Sequence, residues 1–273
     1  VSLGAWAVKA LGVARSLLAY RGFIFGSVQR EFQLRYRNSL LGAAWTILNP
    51  LVMIVVYTLV FSQLMRLRLP GMESSLAYGI YLCAGIFAWN LFVETVSRLQ
   101  TVFIDNGNLI KKLVFPRACL PVIVIANALV NFGIVFLLFL LVLIGLDAFP
   151  GWITFAVIPI LIVQLVFAAG LGIAAGVLNV FFRDVGHAMT IALQLWFWLT
   201  PIVYPIDVLG ENVRGLLALN PMTVLISAWQ EILVYHRPPD WSSLALMGLL
   251  SGTLFFLAWR LFYQHAAEMV DEL

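Results

Sequence analysis

From Ala118 to Leu146 the chain carries no Asp, Glu, Lys or Arg, and from Ala148 to Phe182 it carries none again. Helices that are apolar all round need apolar surroundings on every side. A crossing of the hydrocarbon layer needs about 20 such residues in succession. Two more runs have the same character: Asn38 to Met65 is uncharged, and Ser74 to Ser97 holds only Glu94. Across its 273 residues the chain is 63% hydrophobic and 11% charged, against about 25% charged in soluble domains. That little charge cannot coat a water-exposed surface. The fold class is therefore all-α integral membrane, because within lipid a helix satisfies its own backbone.

Counting runs gives six spans, near residues 39–63, 75–97, 120–145, 153–180, 186–206 and 241–259. The fourth run is long for one span and is expected to tilt. Tryptophans at both ends of the sixth read as interfacial anchors. Orientation follows from Lys and Arg. With the N-terminus in the cytoplasm, twelve fall inside and only Arg66, Arg68, Arg214 and Arg237 outside, so both termini are expected in the cytoplasm. The expected division is a cytoplasmic N-terminus at 1–37, a six-span domain at 38–264 and a cytoplasmic tail at 265–273. No cleavable signal peptide is read, because Arg15 and Arg21 interrupt the first apolar stretch. Cys83 and Cys119 fall on opposite sides of this topology and are expected to stay free thiols.

Residues 11–37 mix apolar and basic side chains and are too charged to span. They suit an amphipathic helix lying in the headgroup layer, or a plain basic flank that sets topology. Residues 207–240 lie outside, yet Leu216 to Trp229 is apolar and interrupted at Asn220–Pro221. A pair of half-helices dipping back into the outer leaflet fits this pattern, as does an amphipathic surface loop. The triplet Leu-Asn-Pro recurs at 48–50 and 219–221 without matching flanks, so it reads as two separate helix breaks or kinks.

The chain lacks a G-x-x-x-x-G-K-[ST] phosphate loop, an H-E-x-x-H pair and a nucleophile elbow. Its histidines, His187, His236 and His265, stand apart from any metal-spaced partner. No catalytic residue and no metal ligand is assigned. Glu94 and Arg98 are four apart, which suits a local helical pair; a functional carboxylate at Glu94 is the other reading. A chain with no energy source of its own needs a handle for a subunit that has one. The segment Asn106 to Pro116 can supply a short basic helix for that purpose, with Lys111 and Lys112 outward, Leu113 and Phe115 available to dock, and Pro116 ending it. As chemistry alone, a positive-inside loop serves equally well.

Four stretches carry a family resemblance: RYRNSLLGAAWTILNPLVMIVVYTLVF (35–61), NLIKKLVFPRACLP (108–121), FFRDVGHAMTIALQLWFWLTPIVYP (181–205) and LNPMTVLISAWQEIL (219–233). They resemble, in order and spacing, ABC-2-type exporter permeases, nearest the polysaccharide group that exports O-antigen, teichoic acid or capsule, and within it the O-antigen permease. The resemblance implies a transport permease rather than an enzyme. It further implies a homodimer paired with two separate nucleotide-binding subunits that bind ATP and Mg, located in the bacterial inner membrane. The cargo would be a glycan on a polyprenyl diphosphate. The segment 106–118 becomes the coupling helix, with Asn108, Lys111, Lys112, Phe115, Pro116 and Arg117 as ATPase contacts and Arg183–Asp184 as a second one. Asn220 and Pro221 fall in an outer gate.

A polymer channel has to hold its cargo weakly at many points. On span 1, Thr46, Asn49, Met53, Tyr57 and Phe61 share one helical face. On span 5, Thr190, Gln194, Trp198 and Pro201 do so, near Trp196 and Tyr204. These two stripes are the candidate channel lining, against the plainer reading of interhelical hydrogen bonds and interface aromatics. Ala168, Gly172, Gly176 and Asn179 read as close helix packing. Two other functions stay open: a drug or small-lipid exporter permease of the same type, and a membrane enzyme of lipid-linked sugar metabolism. The latter has only Glu94, Asp105 and Asp184 to draw on, without acid–base pairing.

Overall fold

The computed structural model describes residues 12, 15–36, 44–59, 75–112 and 115–272, which are helical with no strand among them. The elements are α1 (Arg21–Tyr36), α2 (Trp45–Leu59), α3 (Ser75–Asp105), α4 (Gly107–Lys112), α5 (Cys119–Gly145), α6 (Val157–Phe181), α7 (Asp184–Trp198), α8 (Glu211–Ala218), α9 (Pro221–Leu233), α10 (Trp241–His265) and α11 (Glu268–Glu272). Four helices, including a 3₁₀ turn at Gly151–Ala156 that leads into α6, are long and apolar enough to cross a membrane: α3, α5, α6 and α10. The chain is thus an integral membrane protein. Helix α2 is apolar but shorter, and α8 and α9 meet at a 100° bend.

Prolines sit where a helix tolerates them. Pro121 and Pro159 fall in the first turns of α5 and α6, and Pro221 opens α9. Pro121 and Pro221 have no intrahelical acceptor to lose there, while Pro159 follows directly on the 3₁₀ turn. Pro50 is different, lying inside α2, which continues past it to Leu59. The two Leu-Asn-Pro triplets therefore part ways: the first is spanned by a helix, and the second is a break.

Two boundaries depart from the sequence expectation. Helix α3 does not stop near residue 97 but runs to Asp105. At 31 residues it is about 46 Å long, more than the roughly 30 Å of hydrocarbon. Helix α7 ends at Trp198 rather than near 206, because Pro201 and Pro205 cannot donate to a continuing helix.

Helices α3 and α6 form the centre. Helices α5, α2 and α1 lie to one side, α10 packs on the far side of α6, and α9 wedges among α3, α6 and α10. Glycines set the closest approaches. A Cβ on Gly172 would lie 2.6 Å from Cβ of Leu99, and one on Gly176 would lie 2.5 Å from the Leu99 carbonyl oxygen. A Cβ on Gly170 would meet the Phe255 backbone nitrogen at 2.8 Å. Without a hydrophobic drive between helices in lipid, such contact distances are what hold them together. Asn179, next on the same stripe, donates to the Gln100 carbonyl at 3.0 Å and accepts from the Gly186 N–H at 2.9 Å.

Aromatic rings fill the space that the glycines leave. Phe92 stacks on Phe167, and Trp229 meets Phe132 and Phe136 edge-on. Buried Gln164 accepts from the Trp229 indole at 2.8 Å and donates to the Ala88 carbonyl at 2.7 Å. Cys83 and Cys119 are buried free thiols toward opposite ends of the helical bundle.

Candidate functional site

Two cavities open on either side of Val93, halfway along α3. One, of about 610 Å³, lies between α2, α3 and α5 and is lined by Asn49, Met53, Asn90, Glu94 and Asn131 with Trp45, Phe87 and Phe132. The other, of about 600 Å³, lies between α3 and α7 and is lined by Ser97, Thr190, Gln194 and Trp198 with Trp89 and Phe197. Val93 borders both. The structure thus brings the predicted stripes of α2 and α7 onto a common strip of α3, which the sequence had not singled out. Asn90, Val93, Glu94 and Ser97 recur at three- and four-residue steps. That periodicity was the available signal.

Of the predicted lining residues, Asn49, Met53, Gln194 and Trp198 are exposed on these cavities, and Trp198 keeps 65% of its surface. Tyr57 is half-buried against the core. Phe61 lies outside the described residues. Trp196 is two residues from Trp198 and points the other way. Its ring meets Phe92 and Phe167 edge-on, because neighbours two apart on a helix face different sides.

Glu94 closes the larger cavity at one end and belongs to a wider polar cluster. Its Oε2 accepts from Asn131 at 2.9 Å and its Oε1 from Arg98 at 3.5 Å. Arg98 also pairs with Glu31 of α1, and Asn127 of α5 donates to the same carboxylate. The helical pair read from the sequence is there, but it is part of a cluster that ties α1, α3 and α5 together. Polar groups at membrane depth face the bundle interior and find partners in this way.

The break after α7 is satisfied carbonyl by carbonyl. Leu199 O accepts from Asn220 at 2.9 Å, and Pro201 O from Tyr81 at 3.1 Å and Gln230 at 3.3 Å. Val203 O accepts from Tyr78 at 2.5 Å, and Tyr204 O from Tyr81 at 3.1 Å. Irregular backbone persists at membrane depth only where protein supplies such donors. Tyr204 turns its own hydroxyl back to the Trp198 carbonyl at 2.9 Å. Asn220 also caps α9 by accepting from Met222 N–H at 3.0 Å, and Pro221 takes the first helical position.

At the other end, α4 forms a single turn and a half with Asn108 and Lys111 exposed; Lys112 follows as its last residue. Phe115 packs on Phe23 of α1 at 5.6 Å, next to half-buried Pro116, and Arg117 donates to the Ala266 carbonyl. Ile110, Phe115, Phe181 and Met269 share one apolar cluster. The exposed Arg183–Asp184 turn directly follows Phe181 and Phe182. Ile110, Phe115 and Phe181 therefore meet α11 on one apolar patch.

The family model described as ABC-2 type transporter matches residues 23–234. The chain is 33% identical over 263 residues to an O-antigen export system permease protein RfbA of Myxococcus xanthus, covering 96% of this chain and 99% of that one. Two proteins of the same name from Klebsiella pneumoniae are 30% and 31% identical over 209 and 210 residues, each match covering 74% of this chain and 76% of theirs.

Proposed function

The chain belongs to the ABC-2 type transporter family, and we propose that it is the permease subunit of an ATP-driven exporter of lipid-linked polysaccharide of the O-antigen type. The observation that carries this reading is the likeness, over almost the whole of both chains, to a protein named for O-antigen export. ATP and Mg are bound by a separate nucleotide-binding subunit, present in two copies against a permease homodimer. The permease has six spans, with α2 and α7 as the first and fifth and the α8–α9 pair as outer gate helices. It sits in the bacterial inner membrane with both termini in the cytoplasm.

Several features support the reading. Within one chain Ile54 is the only buried side chain described on α2, so this helix has faces left for a second protomer. The cavities beside Val93 offer amide, hydroxyl and aromatic groups in shallow contact, as a sliding polymer requires. The α4 segment joins the end of α3 to the start of α5, two of the three helices that border the larger cavity. A push delivered at Lys111 and Lys112 is thus passed to the walls of the path.

The test is co-expression with the ATPase encoded beside this chain. We expect a stable complex whose ATP hydrolysis rises with lipid-linked glycan. The Lys111→Glu, Lys112→Glu double variant is expected to insert normally and to lose export. Stimulation by small amphiphiles but not by glycan would replace the cargo. Failure to form any complex would overturn the reading.

A further inference from the structure

Of the residues that the family resemblance offers to an ATPase, Lys111 is exposed while Phe115 and Arg117 turn inward. The Arg117 guanidinium donates to the carbonyl of Ala266, the residue that closes α10. The last carbonyls of a helix have no intrahelical donor, and a cation there also meets the negative end of the helix dipole. Arg117 thus caps α10 from the segment that follows α4.

Helix α11 makes the second tie. The chain turns at Ala266–Ala267, and the Glu268 and Asp271 carboxylates in the first turn of α11 suit its positive end. Nδ1 of His265 and Oε2 of Glu268 lie 2.7 Å apart across that turn, and the His265 ring meets Phe181 edge-on at 5.8 Å. With its acidic side chains exposed, α11 buries Met269, which keeps 4% of its surface. Met269 shares its cluster with Ile110 of α4, with Phe115 and with Phe181 of α6, and α11 packs on both α4 and α6. So short a helix has no stability of its own. These contacts hold α11 in place, and through them it holds α4.

Helix α4 is itself only six residues, joined to α3 before it and α5 after it. Held by those two connections alone, such a piece would swivel under load rather than transmit it. Arg117 and Met269 tie it to α10 and α11, and α10 packs along α6 with a close approach at Gly170. We infer that Arg117 and Met269 are positioning residues that latch the 106–118 segment to α10 and α11, so that a load applied at α4 moves α6 and α10 together with α3 and α5. The inference rests on the ATPase-driven reading above, and it assigns Arg117 to the latch rather than to the ATPase surface.

The experiment uses the permease–ATPase complex in lipid nanodiscs. Amide hydrogen exchange is read by mass spectrometry, and ATP hydrolysis is read with and without lipid-linked glycan. A latch is reciprocal. Met269→Ser is expected to raise exchange at 106–118 about tenfold, and Arg117→Gln to raise it at 266–272 by about as much, the scale of one good contact or charge-assisted bond. Met269→Leu, which conserves volume and polarity, is expected to behave as the wild type. The Met269→Ser complex is expected to assemble and to hydrolyse ATP at the basal rate, while the rise caused by lipid-linked glycan shrinks in proportion to the loosening. A residue that served packing alone would change the exchange and leave the glycan response as it was. Unchanged exchange at 106–118 in Met269→Ser, or an unchanged glycan response with that segment loosened, would overturn the latch and leave the export reading in place. If lipid-linked glycan does not stimulate the wild-type complex, the export reading falls and the latch falls with it.

Discussion

The indole N–H of Trp196 donates to Oδ1 of Asn220 at 2.7 Å, tying the last turn of α7 to the bend between α8 and α9. The same Asn220 oxygen accepts from Met222 N–H, and its amide nitrogen reaches the Leu199 carbonyl and the Thr200 hydroxyl. One side chain thus fixes the geometry of two helix ends at once.

Asn220→Ala should therefore cost more than an ordinary helix cap. Loss of the cap alone is worth about 0.5–2 kcal/mol, and the groups left unpaired add roughly 1–3 kcal/mol. Asn220→Asp keeps the acceptor for Met222 and Trp196 but loses the donor to Leu199 and Thr200, so it should fall between. Thermal unfolding of detergent-solubilised protein checks the order. Equal stability of the alanine variant and the wild type would remove Asn220 from this role.

Gly176 should not tolerate even a methyl group. Its Cβ would stand 2.5 Å from a main-chain oxygen, which cannot rotate away. Gly176→Ala is expected to lose about 1–3 kcal/mol through overpacking. Gly252, with nothing within 4 Å of an added Cβ, should accept alanine with a gain of up to about 1 kcal/mol from helix propensity. Membrane yield and melting temperature of the two variants should move in opposite directions.

Arg98→Leu should remove the cation that both Glu31 and Glu94 engage. Breaking a buried pair costs about 3–5 kcal/mol. These side chains keep 23–40% of their surface, so a figure nearer 1–3 kcal/mol is expected here. Arg98→Lys should recover only part of it, because a compact ammonium lacks the spread, planar set of N–H donors with which the guanidinium reaches both carboxylates. Adding Glu31→Leu to Arg98→Leu should restore stability in a double-mutant cycle. Additive losses instead would show that the two residues do not interact.

These residues also mark how far the sequence could be read. Charge-free runs located the long helices, and Asn220–Pro221 announced the bend, since a proline with a capping residue before it starts a helix anew. The Gly172–Gly176 stripe announced close packing by its spacing alone. The partnership of Glu31 with Arg98 spans 67 positions and has no periodicity to betray it. Asn127 and Asn131 hid inside a run read only for its lack of charge. Helix α3 runs on to Asp105, past the span that charge marks, because a helix can continue where the apolar run stops. Trp196 and Trp198 are neighbours in sequence, but a two-residue step carries them more than half a turn apart around the helix.

The central claim is that the cavities beside Val93 form the path of the glycan, and site-specific photocrosslinking in a working exporter tests it most directly. A benzophenone side chain would replace Met53, Gln194 or, on the outward face of α10, Leu250, which is 48% exposed. The account predicts that probes at Met53 and Gln194 capture glycan only when ATP is being hydrolysed, and that the probe at Leu250 captures lipid alone. Glycan captured at Leu250, or none at Met53 and Gln194 while export proceeds, would contradict it.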